Sequence, residues 1–197
     1  MFHWRARHER IGIDVHSYLL ALAGVLFDPM LPRAGLDAVT AHGGPHTILL
    51  TNRHHYRDSD RFVQELGCAV LAPRKGMHEF APDARVEPYD PGDELPGGMV
   101  AYEVGAICPD ESALHDPGLR VLACADGVIR GLDGSGPLGF VPDELMGDDP
   151  AAVKDGLCAS YRLLAAELDF DHLLLAHGEP VVGSGREALR AFASERG

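Results

Sequence analysis

Three polar clusters stand directly behind apolar runs, and each carries side chains able to ligate a metal, move a proton or hold an anion. Asn52, His54, Tyr56 and Arg57 lie in NRHHYRD, which follows ILLT; Asp126 follows VLACA; His177 and Gly178 follow LLLA. In open α/β sheets ligands gather beyond the carboxyl ends of strands, so clusters placed this way are expected to share one pocket. Taken singly, each has a plainer explanation. A strand-end Asp can cap a turn, and a lone His often serves as a structural hydrogen-bonder. The coincidence of all three makes the site hypothesis.

The elements that would position these clusters can be read from periodicity and punctuation. DVHSYLLAL and GVLFDP form a hairpin around Gly24. LPRAGLDAVTAHG places Leu36 and Val39 on one helix face and stops at Gly43 and Gly44. HTILLT is a buried-strand pattern. DSDRFVQELG is a helix in which Ser59 or Asp58 can cap, Phe62, Val63 and Leu66 share a face, and Gly67 stops the run. CAVLAP is the next strand, and this alternation predicts parallel pairing through a right-handed crossover.

RVEPYDPGDELPGGMVAYEV reads as two strands around turns, and LRVLACADG as a buried strand ending on Asp126. Six glycines and prolines between Gly131 and Pro142 predict a mobile lid over the pocket, with Leu138 and Phe140 closing on a ligand. Pro150 opens a long helix at a position that tolerates it, FDHLLLAHG is the last strand, and REALRAFASER is a closing amphipathic helix. With neither repeat nor linker, residues 1–197 are expected to form a single domain.

Composition narrows the function classes. The formal net charge is −13 with no Lys/Arg run. Nucleic acid is therefore not an expected partner, since phosphate binding needs a positive footprint. The four cysteines form no CxxC pair and sit in apolar surroundings as small hydrophobes. YLLALAGVLF is too short to span a bilayer, and no signal peptide is recognised. The expected location is the cytoplasm, with no membrane partner.

In its ordered set of strand-end residues the chain resembles the metallo-β-lactamase superfamily, whose members carry an HxHxDH motif after a strand. Three further ligands follow there: a His in an HTPG-like turn, a strand-end Asp, and a His before Gly. SYLL with VLFDP looks like the family's opening hairpin, with Asp28 at its buried carboxylate position. TNRHHYRDS resembles the motif, CPDESALH the HTPG turn, LACADG the Asp strand and LLLAHGEP the final His-Gly. The resemblance implies a four-layered αββα sandwich in which Asn52, His54, Tyr56, Arg57, Asp126 and His177 converge on one edge.

The departures bear on function. In that frame Asn52 replaces the first His, Tyr56 the Asp and Arg57 the third His, while His54, Asp126 and His177 are retained; Ile107 stands where the turn's His belongs. Neither of the family's two metal sites keeps its full set, and a catalytic zinc usually takes three protein ligands plus an open position. No metal cofactor, and no pair of zinc ions, is expected; a single zinc or other divalent ion, if bound, would use His54, Asp126 and His177. His55, Asp58 and His78 are spare donors, His55 pointing to the opposite face if its segment is extended.

Arg57 is expected to pair with Asp126 in place of one metal. Such a pocket would suit a small carboxylate or phosphate ligand. Three functions follow: a binder of a small acidic molecule without two-zinc hydrolysis, an active hydrolase of an ester, thioester or lactone with one metal or an atypical set of ligands, or a non-catalytic regulatory or assembly module. The third would lack an enclosed pocket over Asp126. The oligomeric state is left open.

Overall fold

The computed structural model describes residues 1–131 and 135–195. Six strands form the first sheet: β1 (Phe2–His8), β2 (Ile13–Leu20), β3 (Val25–Phe27), β4 (Thr47–Leu49), β5 (Ala69–Pro73) and β6 (Val86–Tyr89), in that spatial order. β1 to β3 are antiparallel, and β3 to β6 run parallel. The second sheet contains β7 (Glu94–Leu95), β8 (Met99–Glu103), β9 (Ser112–Asp116), β10 (Val121–Cys124) and β13 (His172–Leu175), ordered β13-β10-β9-β8-β7. β11 (Ile129–Arg130) and β12 (Leu138–Gly139) make a small ribbon of their own.

Side-chain alternation along the strands builds the layers. In the first sheet Tyr18, Phe27 and Leu49 face the second sheet, where Leu114, Ala123 and Leu174 meet them. The neighbouring residues Leu26, Ile48 and Val70 point outward, onto Val39 of α1 (Asp37–Thr40) and Phe62 of α2 (Ser59–Leu66). On the other side, Leu122, Leu173 and Leu175 lie beneath Leu157 and Tyr161 of α3 (Pro150–Glu167) and Leu189 and Phe192 of α4 (Gly185–Ser194). Helix, sheet, sheet, helix is the αββα sandwich that the sequence implies. Each fully buried Leu or Phe contributes about 1.5–3 kcal/mol by leaving water.

Several details differ from expectation. β1 has no run of apolar residues, because it is an edge strand: Phe2 and Trp4 alternate with His3, Arg5 and Arg7, which pair across with Tyr18, His16 and Asp14. The cap expected of Asp58 or Ser59 is not made; Asp58 Oδ2 instead accepts from the Leu31 N–H at 2.8 Å. Gly67 does end α2, in the left-handed conformation at φ 73°. The expected lid from Gly131 to Pro142 includes 132–134, outside the described residues. Of the rest, Leu138 and Phe140 pack against the α3–α4 layer, with Phe140 4.7 Å from the Phe192 ring, rather than facing the pocket. Among the described residues, no helix is long and apolar enough to cross a membrane.

Candidate metal and anion site

The site begins with a buried carboxylate. Asp28 follows β3 at a positive φ of 42°, a conformation uncommon outside glycine, and is almost wholly buried. Its Oδ1 accepts from the Thr51 N–H at 2.8 Å, and its Oδ2 from Thr51 Oγ at 2.6 Å and His55 Nδ1 at 2.9 Å. Burial alone would raise the carboxyl pKa, but the positive charge of His55 and these hydrogen bonds outweigh it and hold the group below its usual range.

The segment after β4 does not continue as a strand. Asn52 is fully buried; its Oδ1 accepts from the His54 N–H at 2.9 Å and turns the chain into a short 3-10 helix, Arg53–Tyr56. The backbone N–H of Arg53 also donates to Asp110 Oδ2 at 2.7 Å, and its guanidinium pairs with the same carboxylate. Arg57, at φ 45°, ends the turn. This change of pitch swings His55 inward and His54 outward, the reverse of what an extended segment would do.

His55 thereby sits between two carboxylates. Its Nδ1 faces Asp28, and its Nε2 donates to Asp126 Oδ1 at 3.2 Å. Burial works against the charged imidazole, yet Asp126 and Asp28 together raise its pKa to about 9. Asp126, just past β10, accepts in addition from Asn52 Nδ2 at 2.9 Å and lies 3.0 Å from His177 Nε2. Burial opposes its charge, but His55 and His177 hold the carboxyl well below its ordinary value. Gly178 holds the His177 turn at φ 103°, where a Cβ would come within 2.5 Å of the Arg130 carbonyl oxygen. The His177 Nδ1 is buried without a hydrogen-bond partner among the described residues.

These groups form the floor of a cavity of about 960 Å³. Arg5, Arg7 and Arg10 of the β1–β2 hairpin line it together with Arg57, against Asp14 and Asp126 as acids among the described residues. Ile107, Ile129 and Val141 supply an apolar side. On a chain of net charge −13, a wall with four arginines is a strong local reversal of sign.

The residues expected at the site divide as follows. Asn52, Asp126 and His177 meet. His54 is exposed at the cavity edge, and the donor that joins Asp126 and His177 is His55. Tyr56 points away, its hydroxyl 2.5 Å from Asp60 and its ring against Phe80. Arg57 does not bond to Asp126: its Nη1 donates to the carbonyls of Asp28 at 2.6 Å and His16 at 3.2 Å, beneath the cavity. The carboxylate it was to pair with faces His55 and His177 instead. Asp58 is spent on Leu31 and His78 is largely exposed beside Glu79, so neither spare donor reaches the site. The hairpin arginines are an unforeseen part of the wall; their alternation with Phe2 and Trp4 was the available signal.

The donor set fits one divalent ion. His55, Asp126 and His177 each offer a ligand atom, all within 4.8 Å of one another. Three protein donors with a face open to a cavity is the arrangement of a catalytic zinc, and two His with one carboxylate also suits iron(II). Asp28 behind His55 is the outer carboxylate that metal-bound imidazoles commonly have.

No family model matches the sequence, and no curated protein matches it. Solved structures do resemble it in fold. A protein studied in a di-iron-bound form aligns with TM-score 0.70 and 20% identity over 96% of this chain and 99% of its own. A B3 metallo-β-lactamase with an active-site glutamic acid aligns at 0.61 and 22% over 92% and 80%. A metallo-β-lactamase family protein from Thermus thermophilus aligns at 0.65 and 18% over 98% and 77%.

Proposed function

From the premise that this chain has the metallo-β-lactamase fold, we propose a one-metal hydrolase of a small anionic ester, thioester or lactone, with the ion held by His55, Asp126 and His177. The observation that carries this reading is the meeting of those three donors beneath a cavity walled with arginine. A divalent ion there would acidify a water molecule and polarise a substrate carbonyl.

The chain's own residues do the positioning. Asp28 accepts the Nδ1 proton of His55, so an ion that displaces the proton on Nε2 would find that nitrogen aimed at the site. Asn52 holds Oδ2 of Asp126 and leaves Oδ1 turned to both imidazoles. Arg5, Arg7 and Arg10 offer charge-assisted hydrogen bonds to a substrate carboxylate or phosphate. Ile107, Ile129 and Val141 keep part of the cavity dry, which strengthens those contacts. Tyr56 and Ile107 bring no donor to a second ion, so the two-ion centre is degraded to one. The cavity over Asp126 also weighs against a purely structural module, and the acidic exterior against nucleic acid. Four buried cysteines, none of them in a disulfide, suit a reducing compartment such as the cytoplasm.

A second reading has one observation in its favour. His55 bonds to a carboxylate at both nitrogens, which satisfies the floor of the site without any ion. In that case the protein binds its anion and performs no hydrolysis. The test uses chelated and zinc-loaded protein on a panel of carboxylated esters, thioesters and lactones. The hydrolase reading expects turnover with about one equivalent of zinc, lost in Asp126→Asn. Equal anion binding in both forms, with no turnover in either, would establish the second reading instead.

A further inference from the structure

A second group of donors lies outside the triad. His3 of β1, His16 of β2 and Glu179 of the turn after β13 each offer a ligand atom, all within 4.8 Å of one another. We propose that these three residues form a separate binding site for a divalent transition-metal ion of the zinc class, which clasps the β1–β2 hairpin to the turn that carries His177. None of the three serves the triad, so this site stands or falls independently of the proposed hydrolase.

The register of β1 on β2 sets up the pair. His3 lies opposite Tyr18 and Arg5 opposite His16, so His3 and His16 are diagonal neighbours on one face. His3 Nε2 and His16 Nδ1 are 2.8 Å apart, with the rings nearly parallel and 5.0 Å between centroids. Around a tetrahedral zinc with bonds of about 2.0 Å, two such nitrogens would stand about 3.3 Å apart. The pair needs to open by only about half an ångström. His3 stacks on Tyr18 at 4.8 Å, which limits how else its ring can turn.

Chemistry and charge agree with the geometry. His16 is buried, beside His3 and within reach of Glu179. Two imidazoles and a carboxylate are a zinc-class donor set, and solvent can complete the coordination. Glu179 is half-exposed and its one close cation is Arg5, 4.0 Å away among the described residues. That contact is long and weak. An ion that takes the Glu179 carboxylate competes with that contact and leaves Arg5 its equally long pair with Asp14.

The test is a titration of tag-free, chelated full-length protein with Co²⁺, read by its visible absorption, and with Zn²⁺, read by elemental analysis after dialysis. The parent is compared with His3→Ala, with His3→Gln combined with Glu179→Gln, and with His55→Ala; circular dichroism verifies folding. The proposal expects one equivalent fewer in both hairpin variants than in the parent, with the His55→Ala loss additive. A parent holding one ion that is lost only in the hairpin variants would support this site and overturn the triad. A parent whose stoichiometry and cobalt spectrum are unchanged by both hairpin variants overturns the proposal and leaves the triad standing. A parent that binds no ion overturns both.

Discussion

The two histidine clusters of this protein differ in what stands behind them. His55 rests on Asp28, and Asp28 is itself held at both oxygens by Thr51 and by the imidazole. His3 and His16 rest on each other and on an aromatic ring, with a half-exposed glutamate alongside. The first cluster is built into the junction of two sheets, and the second bridges an edge hairpin to a turn. A pre-ordered donor set loses little freedom on binding, whereas an adaptable one must be organised by its ligand. The triad should therefore bind a given ion more tightly, and its residues should matter more to the fold.

The largest effect should come from breaking the support. Asp28→Ala leaves the Thr51 groups and His55 without their buried acceptor, and should cost about 3–5 kcal/mol in urea unfolding. The comparison fails if that variant is as stable as the parent.

On the triad side, a pH effect of similar size should appear in the alkaline range. Glu111 is buried behind Asp126, accepting from the Gly127 N–H at 2.8 Å, and burial together with Asp126 raises its pKa to about 8. An acid whose folded pKa lies above its unfolded value favours the fold while protonated. Its contribution is full below about 4.5 and is lost as pH rises through about 8. Glu111→Gln should accordingly be more stable than the parent at pH 9, by about 4–5 kcal/mol, and the two should converge near pH 4. Unfolding curves at both pH values decide it; a gap that does not grow with pH would refute the assignment.

Weaker effects should come from the hairpin. Arg5→Ala or Arg7→Ala should reduce the affinity for inorganic phosphate about tenfold each, measured by calorimetry at low salt. Glu179→Gln should change the stability of metal-free protein by less than about 0.5 kcal/mol, as expected of an exposed side chain. A loss comparable with that of Asp28→Ala would erase the contrast between the clusters.

Strand ends were the legible part of the sequence. Asp126 and His177 follow compact apolar runs, and an apolar run on a buried strand dictates where the next residue emerges. The layer order followed for the same reason, from alternations such as Leu173, Leu174 and Leu175. The turn after β4 was not legible in this way. Whether His54 or His55 faces inward depends on the local pitch, which is set by the Asn52 side chain bonding to the His54 N–H. Residue types alone do not reveal that bond, and one step of pitch exchanges the two histidines. Arg57 was misassigned for a related reason, since its positive φ directs the guanidinium to the carbonyls of Asp28 and His16. β1 escaped notice because an edge strand does not need an apolar run to pair.

The most direct test of the account is zinc binding by equilibrium dialysis in His54→Ala and His55→Ala, each made in a His3→Ala background so that only the triad is read. The account predicts that His54→Ala retains its single equivalent and that His55→Ala loses it. Retention in His55→Ala with loss in His54→Ala would contradict it.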